Sequence, residues 1–189
     1  DLLGIEKKQK YMIVRFVSWN AVHDYGHMGL TLQNKIKAVK EFSKYCKVFI
    51  SSESDLPDEL RKYRVNIPYE KMHDALAFAS LFYGESATMA SESACLGTPA
   101  IFLDNDGRGY TDEQQSQYGI VFNFKETQKE QEESIDKGIQ LLDKHSNKIQ
   151  WLKIKENILN DKIDPTSFFV WFFENYPNSI RLMQEESKI

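Results

Sequence analysis

A chain of 189 residues, 41% hydrophobic and 28% charged, is long and apolar enough to build its own core, so neither stabilising disulfides nor wholesale disorder is expected. A net charge of −4 removes the overall basic footprint that non-specific nucleic-acid binding needs, and no apolar run approaches the roughly 18 residues of a membrane span. Cys46 and Cys95, far apart and each inside an apolar run, read as small core residues of a protein kept in a reducing compartment, the cytoplasm.

Six short apolar runs follow one another along the chain. Tyr11 to Val17 is β-rich and almost continuously apolar; Cys46 to Ile50 is a second run, and Arg64 to Ile67 a weaker third. Ser80 to Tyr83 stops at Gly84, Pro99 to Leu103 follows Gly97, and Ile120 to Phe124 follows Gly119. Runs of this length bounded by glycine and proline fit strands of a parallel sheet covered on both faces. Helical patterns alternate with them. Ile36, Val39, Phe42 and Ser43 recur at helical spacing between Leu32 and Tyr45, and Met72, Leu76 and Ala79 between Tyr69 and Ala79. Ser86 to Leu96 is rich in alanine and serine, with Gly97 placed to end a helix. Glu126 to Lys144 and Asn147 to Leu159 are amphipathic, and a dense aromatic helix, Phe168 to Phe173, follows Pro165. Alternating strands and helices predict an α/β fold with right-handed crossovers.

The segment from Tyr83 to Ile101 carries the most chemistry. It reads as strand, tight turn, small-residue helix, glycine cap and strand. Ser86 can cap the helix, and Ala87 and Thr88 then present backbone N–H groups in its first turn. Small side chains let a phosphate approach those groups, where the helix dipole favours negative charge. Thr88 adds a hydroxyl donor. Glu92, six residues after Ser86, can accept both hydroxyls of a ribose whose diphosphate sits at the helix start. The same small residues serve close helix–sheet packing equally well.

Ser86, Ala87, Thr88 and Glu92, with Leu96, Gly97, Thr98 and Pro99 leading into the next strand, resemble the donor-binding segment of GT-B glycosyltransferases and of non-hydrolysing UDP-N-acetylglucosamine 2-epimerases. The epimerases carry two glycines where this chain has Ala87 and Thr88. The stretches Val14 to Asp24, Asn34 to Lys44, Val48 to Glu53 and Lys71 to Leu76 extend the likeness to a family of prokaryotic GT-B-like proteins, covering Tyr11 to Phe124. The resemblance implies a Rossmann-like, doubly wound parallel sheet of about six strands with C-terminal helices. It implies one domain over residues 1–189, with the sheet within about 10–145 and helices over 146–189. That domain would be the donor-binding half of a protein whose N-terminal half lies outside this chain, and it would be inactive alone.

Several residues acquire roles from the same likeness. Ser86, Ala87 and Thr88 would bind the diphosphate and Glu92 the ribose. Backbone groups of Ile67 would pair with uracil while Tyr69 stacks on it; the plain alternative is a turn whose Pro68 starts a helix. His23 and Asp24 follow the first strand, and ligands of doubly wound sheets bind beyond the carboxyl ends of strands. His23 matches a functional histidine of the epimerases and is the catalytic candidate, with Asp24 to orient its ring. Arg15, a charge inside an apolar strand, must be paired, with Glu53 or Glu85, or else reach the cleft.

Metal chemistry is not expected from the sequence. His23 and His27 are four apart, but Gly26 breaks any helix that would align them. Asp104 to Glu113 misses the first calcium ligand of an EF-hand, which falls on Phe102, and reads as a polar loop bordering a sugar pocket. No GxGxxG follows the first strand, and neither a Walker A nor a GxSxG motif occurs. The expectation is a UDP-sugar-binding domain of a glycosyltransferase of glycan synthesis, with no cofactor beyond its UDP or UDP-sugar ligand. An epimerase-like isomerase and a non-catalytic nucleotide-binding module are the alternatives. The expected partners are a nucleotide sugar, the N-terminal domain and a second copy of the chain, with no nucleic acid. The aromatic helix should leave part of its apolar face exposed or use it in self-association.

Overall fold

The computed structural model describes residues 3–6, 8–19, 26–143 and 148–186. Five strands form one sheet: β1 (Tyr11–Phe16), β2 (Lys47–Ser52), β3 (Phe82–Gly84), β4 (Ala100–Leu103) and β5 (Val121–Phe124), in the order β2-β1-β3-β4-β5. Every neighbouring pair is parallel. Parallel neighbours need crossovers, which the helices supply: α1 (Leu32–Phe42), α2 (Asp58–Arg61), α3 (Met72–Ala77), α4 (Ala87–Cys95), α5 (Gly109–Glu113) and α6 (Gln128–Asp143). The α/β, Rossmann-like architecture expected from the sequence is present.

The expected strand Arg64 to Ile67 is corrected: it makes a single parallel bridge, Ile50 to Arg64. Two backbone bonds hold it to the edge of β2, Ile50 N to Tyr63 O at 2.7 Å and Val65 N to Ile50 O at 2.9 Å. The contact stops at that one bridge, and the chain turns at Pro68 into the helical turn that begins at Tyr69. The described sheet therefore has five strands, not about six.

The strands are apolar on both sides because both faces are covered. Met12, Val14, Phe16, Tyr83, Ile101 and Leu103 pack with Val39 and Phe42 of α1 and Ile135 and Leu142 of α6. The Phe42 ring meets Tyr83 edge-on at 5.0 Å, and the Tyr83 hydroxyl is hydrogen-bonded to Ser134 Oγ at 2.9 Å. Gly138 of α6 lies against the same Phe42 ring, 2.6 Å from where its Cβ would stand. On the opposite face the Tyr11 hydroxyl donates to Ala75 O and the Thr98 hydroxyl to Leu76 O, each at 2.7 Å, so α3 is tied to the starts of β1 and β4.

Two compact units are distinguished, Asp1–Lys155 and Glu156–Ile189, with α7 (Lys148–Asp161) running from the first into the second. The second unit adds α8 (Pro165–Glu174) and α9 (Asn178–Glu186). Asp164 caps α8 by accepting from Thr166 N and Ser167 N, and Ser179 Oγ donates to Phe172 O at 2.7 Å, holding α9 against α8. Within this unit Phe169 and Phe173 are 56% and 69% exposed, so the aromatic helix does present an apolar face, as its composition predicts.

Candidate functional site

The strand order reverses between β1 and β3, the place where doubly wound sheets open a crevice beyond the carboxyl ends of their strands. Register places Arg15 opposite Gly84, so the carboxyl ends of β1 and β3 are side by side. A Cβ on Gly84 would collide with the Arg15 carbonyl. The strand must therefore leave the sheet at a residue without a side chain, and the chain turns at once into α4.

Ser86 is the N-cap of α4: its backbone is extended and its Oγ accepts from Met89 N at 3.3 Å. The Ala87 and Thr88 N–H groups occupy the first turn, where a helix offers no acceptor of its own. Thr88 is exposed and Ala87 half-buried. Leu96 closes the helix and Gly97 takes the left-handed conformation, φ 84°. Glu92 stands about 9 Å along the axis from the cap, at about 1.5 Å per residue. Its Oε1 lies 3.2 Å from His73 Nε2. That contact brings the start of α3 beside α4, and with it the segment containing half-buried Ile67 and Tyr69, which is 96% exposed. His73 reads as an ordinary helix residue in the sequence; its partner lies 19 positions on, beyond the reach of any helical spacing.

The loop from β1 to α1 borders the same crevice. Its described ends, Val17 to Trp19 and Gly26 to Thr31, are fastened by two carboxylates from other elements. Glu85, the residue after β3, has a fully buried side chain. It accepts from Val17 N at 2.8 Å and Leu30 N at 2.6 Å, and Lys35 Nζ lies 3.3 Å away. Burial pushes its carboxyl above the usual range, against the pull of Lys35 and the two N–H donors. Glu126, after β5, accepts from Met28 N and Gly29 N at 2.8 and 2.9 Å through Oε2. Gly29 has φ 61° and lies against Trp19 and Glu85, so no side chain fits there.

His27 is the centre of this arrangement. Its Nδ1 lies 2.9 Å from Glu126 Oε1 and 3.2 Å from Asp104 Oδ1, and its Nε2 lies 3.2 Å from Asp106 Oδ2. Trp19 stacks on the imidazole, centroids 5.2 Å apart and planes within 6°. The hydrogen bond to Glu126 raises the His27 pKa, burial opposes it, and Asp106 and Asp104 add to the rise. The sequence reading missed this cluster because its carboxylates lie 77 to 99 positions after His27; the signal available was an acidic residue just past the end of each of two strands, Asp104 and Glu126.

The other expected residues sort as follows. Arg15 forms the ion pair with Glu53, Nη2 to Oε1 at 2.6 Å, and donates to Ser51 Oγ at 2.7 Å, while Glu85 takes Lys35 instead. His23 and Asp24 lie outside the described residues. The expected polar loop of Asp104 to Glu113 becomes helical at Gly109, and Asp104 is buried, with Oδ2 3.3 Å from Arg108 Nη1. A cavity of about 890 Å³ opens at the opposite, amino ends of the strands, between Tyr11, Ser80, Pro99, Phe78 and Trp151. Doubly wound sheets take ligands at the carboxyl ends, so the crevice at α4 is the candidate site.

No protein-family model and no curated protein matches the sequence. Solved structures do. The spinosyn rhamnosyltransferase SpnG, complexed with spinosyn aglycone, superposes with a TM-score of 0.59 at 15% identity, over 91% of this chain and 47% of its own. The glycosyltransferase VinC, in complex with dTDP, gives 0.56 at 16% identity, over 82% and 39%. A Listeria monocytogenes structure assigned as a UDP-N-acetylglucosamine 2-epimerase gives 0.52 at 15% identity, over 78% and 39%. This chain has the fold of one half of a GT-B protein. It spans less than half the length of each of these GT-B relatives in fold. No helix among the described residues is long and apolar enough to cross a membrane.

Proposed function

We propose that this chain is the nucleotide-sugar-binding half of a glycosyltransferase, and that it holds UDP or a UDP-sugar at the start of α4. The observation that carries the reading is the position of that helix. It begins at the carboxyl end of β3, beside β1, where the sheet order reverses, with a capping serine and small residues in its first turn. In this reading the Ala87 and Thr88 N–H groups and the Thr88 hydroxyl hold the diphosphate. Glu92 accepts the ribose hydroxyls, His73 steadies that carboxylate, and Tyr69 covers the base beside the Ile67 backbone.

Glycosyl transfer breaks the bond between the sugar's anomeric carbon and the diphosphate oxygen while an acceptor oxygen bonds to that carbon. Negative charge grows on the departing diphosphate. Donors fixed at a helix start stabilise that charge without reorganising. The acceptor's proton needs a base, which the N-terminal half would supply; His23 is proposed to donate a hydrogen bond to the diphosphate or the leaving oxygen, with Asp24 to orient its ring. The fold shared with VinC, whose structure contains dTDP, supports the nucleotide reading. The fold shared with the Listeria epimerase favours a second reading, an isomerase using the same grip.

Titration calorimetry of the chain with UDP tests the grip. One UDP should bind per chain, and Glu92→Ala should weaken it at least tenfold, since each charge-assisted hydrogen bond contributes about 1.5–3 kcal/mol. Unchanged affinity in Glu92→Ala removes the ribose assignment. Assayed in the intact protein, release of UDP that depends on an acceptor supports transfer, and interconversion of two UDP-sugars without one supports the isomerase.

A further inference from the structure

The cluster around His27 has the form of a metal centre. Among the described residues, His27, Asp104 and Glu126 are the one grouping able to offer three ligand atoms within 4.8 Å of one another. Their side chains are 7%, 3% and 6% exposed. The geometry points to a divalent-cation site formed by His27 Nδ1, Asp104 Oδ1 and Glu126 Oε1, selective for a borderline first-row ion such as Zn²⁺. Its ligands are other residues than those of the nucleotide grip.

Distances and partners carry the argument together. An ion about 2.1 Å from each ligand would see the Nδ1 to Oε1 edge of 2.9 Å and the Nδ1 to Oδ1 edge of 3.2 Å under angles of roughly 90–100°, within the range metal centres use. Two buried carboxylate oxygens face one ring nitrogen, which carries at most one proton to share between them. A divalent ion in that position neutralises both.

Each ligand is also held from behind. The far nitrogen of His27 faces Asp106 Oδ2 at 3.2 Å, the carboxylate–histidine pairing that turns the near nitrogen's lone pair toward a metal. Glu126 is fixed through its other oxygen by two backbone N–H groups, and Asp104 by Arg108. Trp19 covers the imidazole face. An imidazole nitrogen with two carboxylates suits zinc better than a purely oxygen-seeking ion, and three protein ligands leave a position for water or a substrate oxygen.

The test is calorimetric titration of the EDTA-treated chain with ZnCl₂, with ¹H–¹⁵N spectra of the histidine rings recorded alongside. One ion per chain should bind, with His27 Nδ1 losing its proton and shifting while Nε2 stays protonated. Glu126→Gln and Asp104→Asn should each weaken binding by tenfold or more, whereas Glu133→Gln, at an exposed carboxylate of α6 paired with Lys129, should leave it unchanged. For a carboxylate variant whose circular dichroism shows it unfolded, the ring spectra of the native chain decide. An Nδ1 that keeps its proton under saturating zinc overturns the proposal and leaves an ion-paired imidazolium. So does the lack of one-to-one binding, or binding lost in Glu133→Gln and retained in the folded carboxylate variants.

Discussion

At the scale of single residues, burial and pairing set the chemistry. Cys46 is pushed up to about 12 by burial, against a small opposing pull from Lys10. At pH 8 roughly one thiol in 10⁴ would then be ionised, against about a quarter for a free cysteine. Iodoacetamide should therefore leave Cys46 unmodified in the folded protein and label it after denaturation; mass spectrometry of the peptide checks this, and rapid native labelling would contradict the burial. Glu53 moves the other way. Burial works against its charge, but the Ser18 N–H, the Arg15 guanidinium and the Ser18 hydroxyl outweigh it and hold the carboxyl below its ordinary value. A lowered carboxyl stabilises the fold above the unfolded value, about 4.3, and that contribution disappears as pH falls through the folded one. Glu53→Gln should thus be less stable than the native chain at pH 7, by under about 1 kcal/mol for so open a pair. Thermal melts should show the gap closing below about pH 4; a gap that widens in acid would refute the pairing.

At the scale of elements, the tightest constraint is the exit from β3. A Cβ at residue 84 meets the backbone of Arg15, which cannot swing aside as a side-chain tip can. Gly84→Ala should cost on the order of 1–3 kcal/mol, read as a lowered urea midpoint with an unchanged slope, and should disturb the α4 start more than the far end of the sheet. Wild-type stability in that variant would mean the two strands lie further apart. The same elements show what a sequence makes legible. β1, β4, α1 and α4 are each written in one stretch, as an apolar run, a repeat of Ile36, Val39 and Phe42, or a serine cap paired with Gly97, so local pattern suffices. Arg64 to Ile67 looks like a strand because its alternation is right, but a strand also needs neighbours along its length, and this segment bridges β2 only at Ile50 before Pro68 opens a helical turn. The α5 helix was hidden by Gly107 and Gly109, which read as loop. The His27 cluster was illegible for a different reason. Its four carboxyl and imidazole groups arrive from three loops that only the sheet order brings together, and no spacing along the chain records that.

At the scale of the whole molecule, a five-stranded parallel sheet presents every carboxyl strand end at one edge, and the loops there carry the chain's polar chemistry. The α4 start lies after β3, Glu85 fastens the first loop, and His27 joins the loops after β4 and β5. The amino edge holds a cavity of about 890 Å³. The central claim is that nucleotide binds at the carboxyl edge, on α4. Backbone ¹H–¹⁵N spectra of the chain titrated with UDP test it most directly. The account predicts saturable shifts largest at the amides of Ala87 and Thr88, with smaller ones at Glu92 and Tyr69 and none at Ser80 or Phe78. Shifts confined to the amino-edge cavity, or no shifts at millimolar UDP, would contradict it.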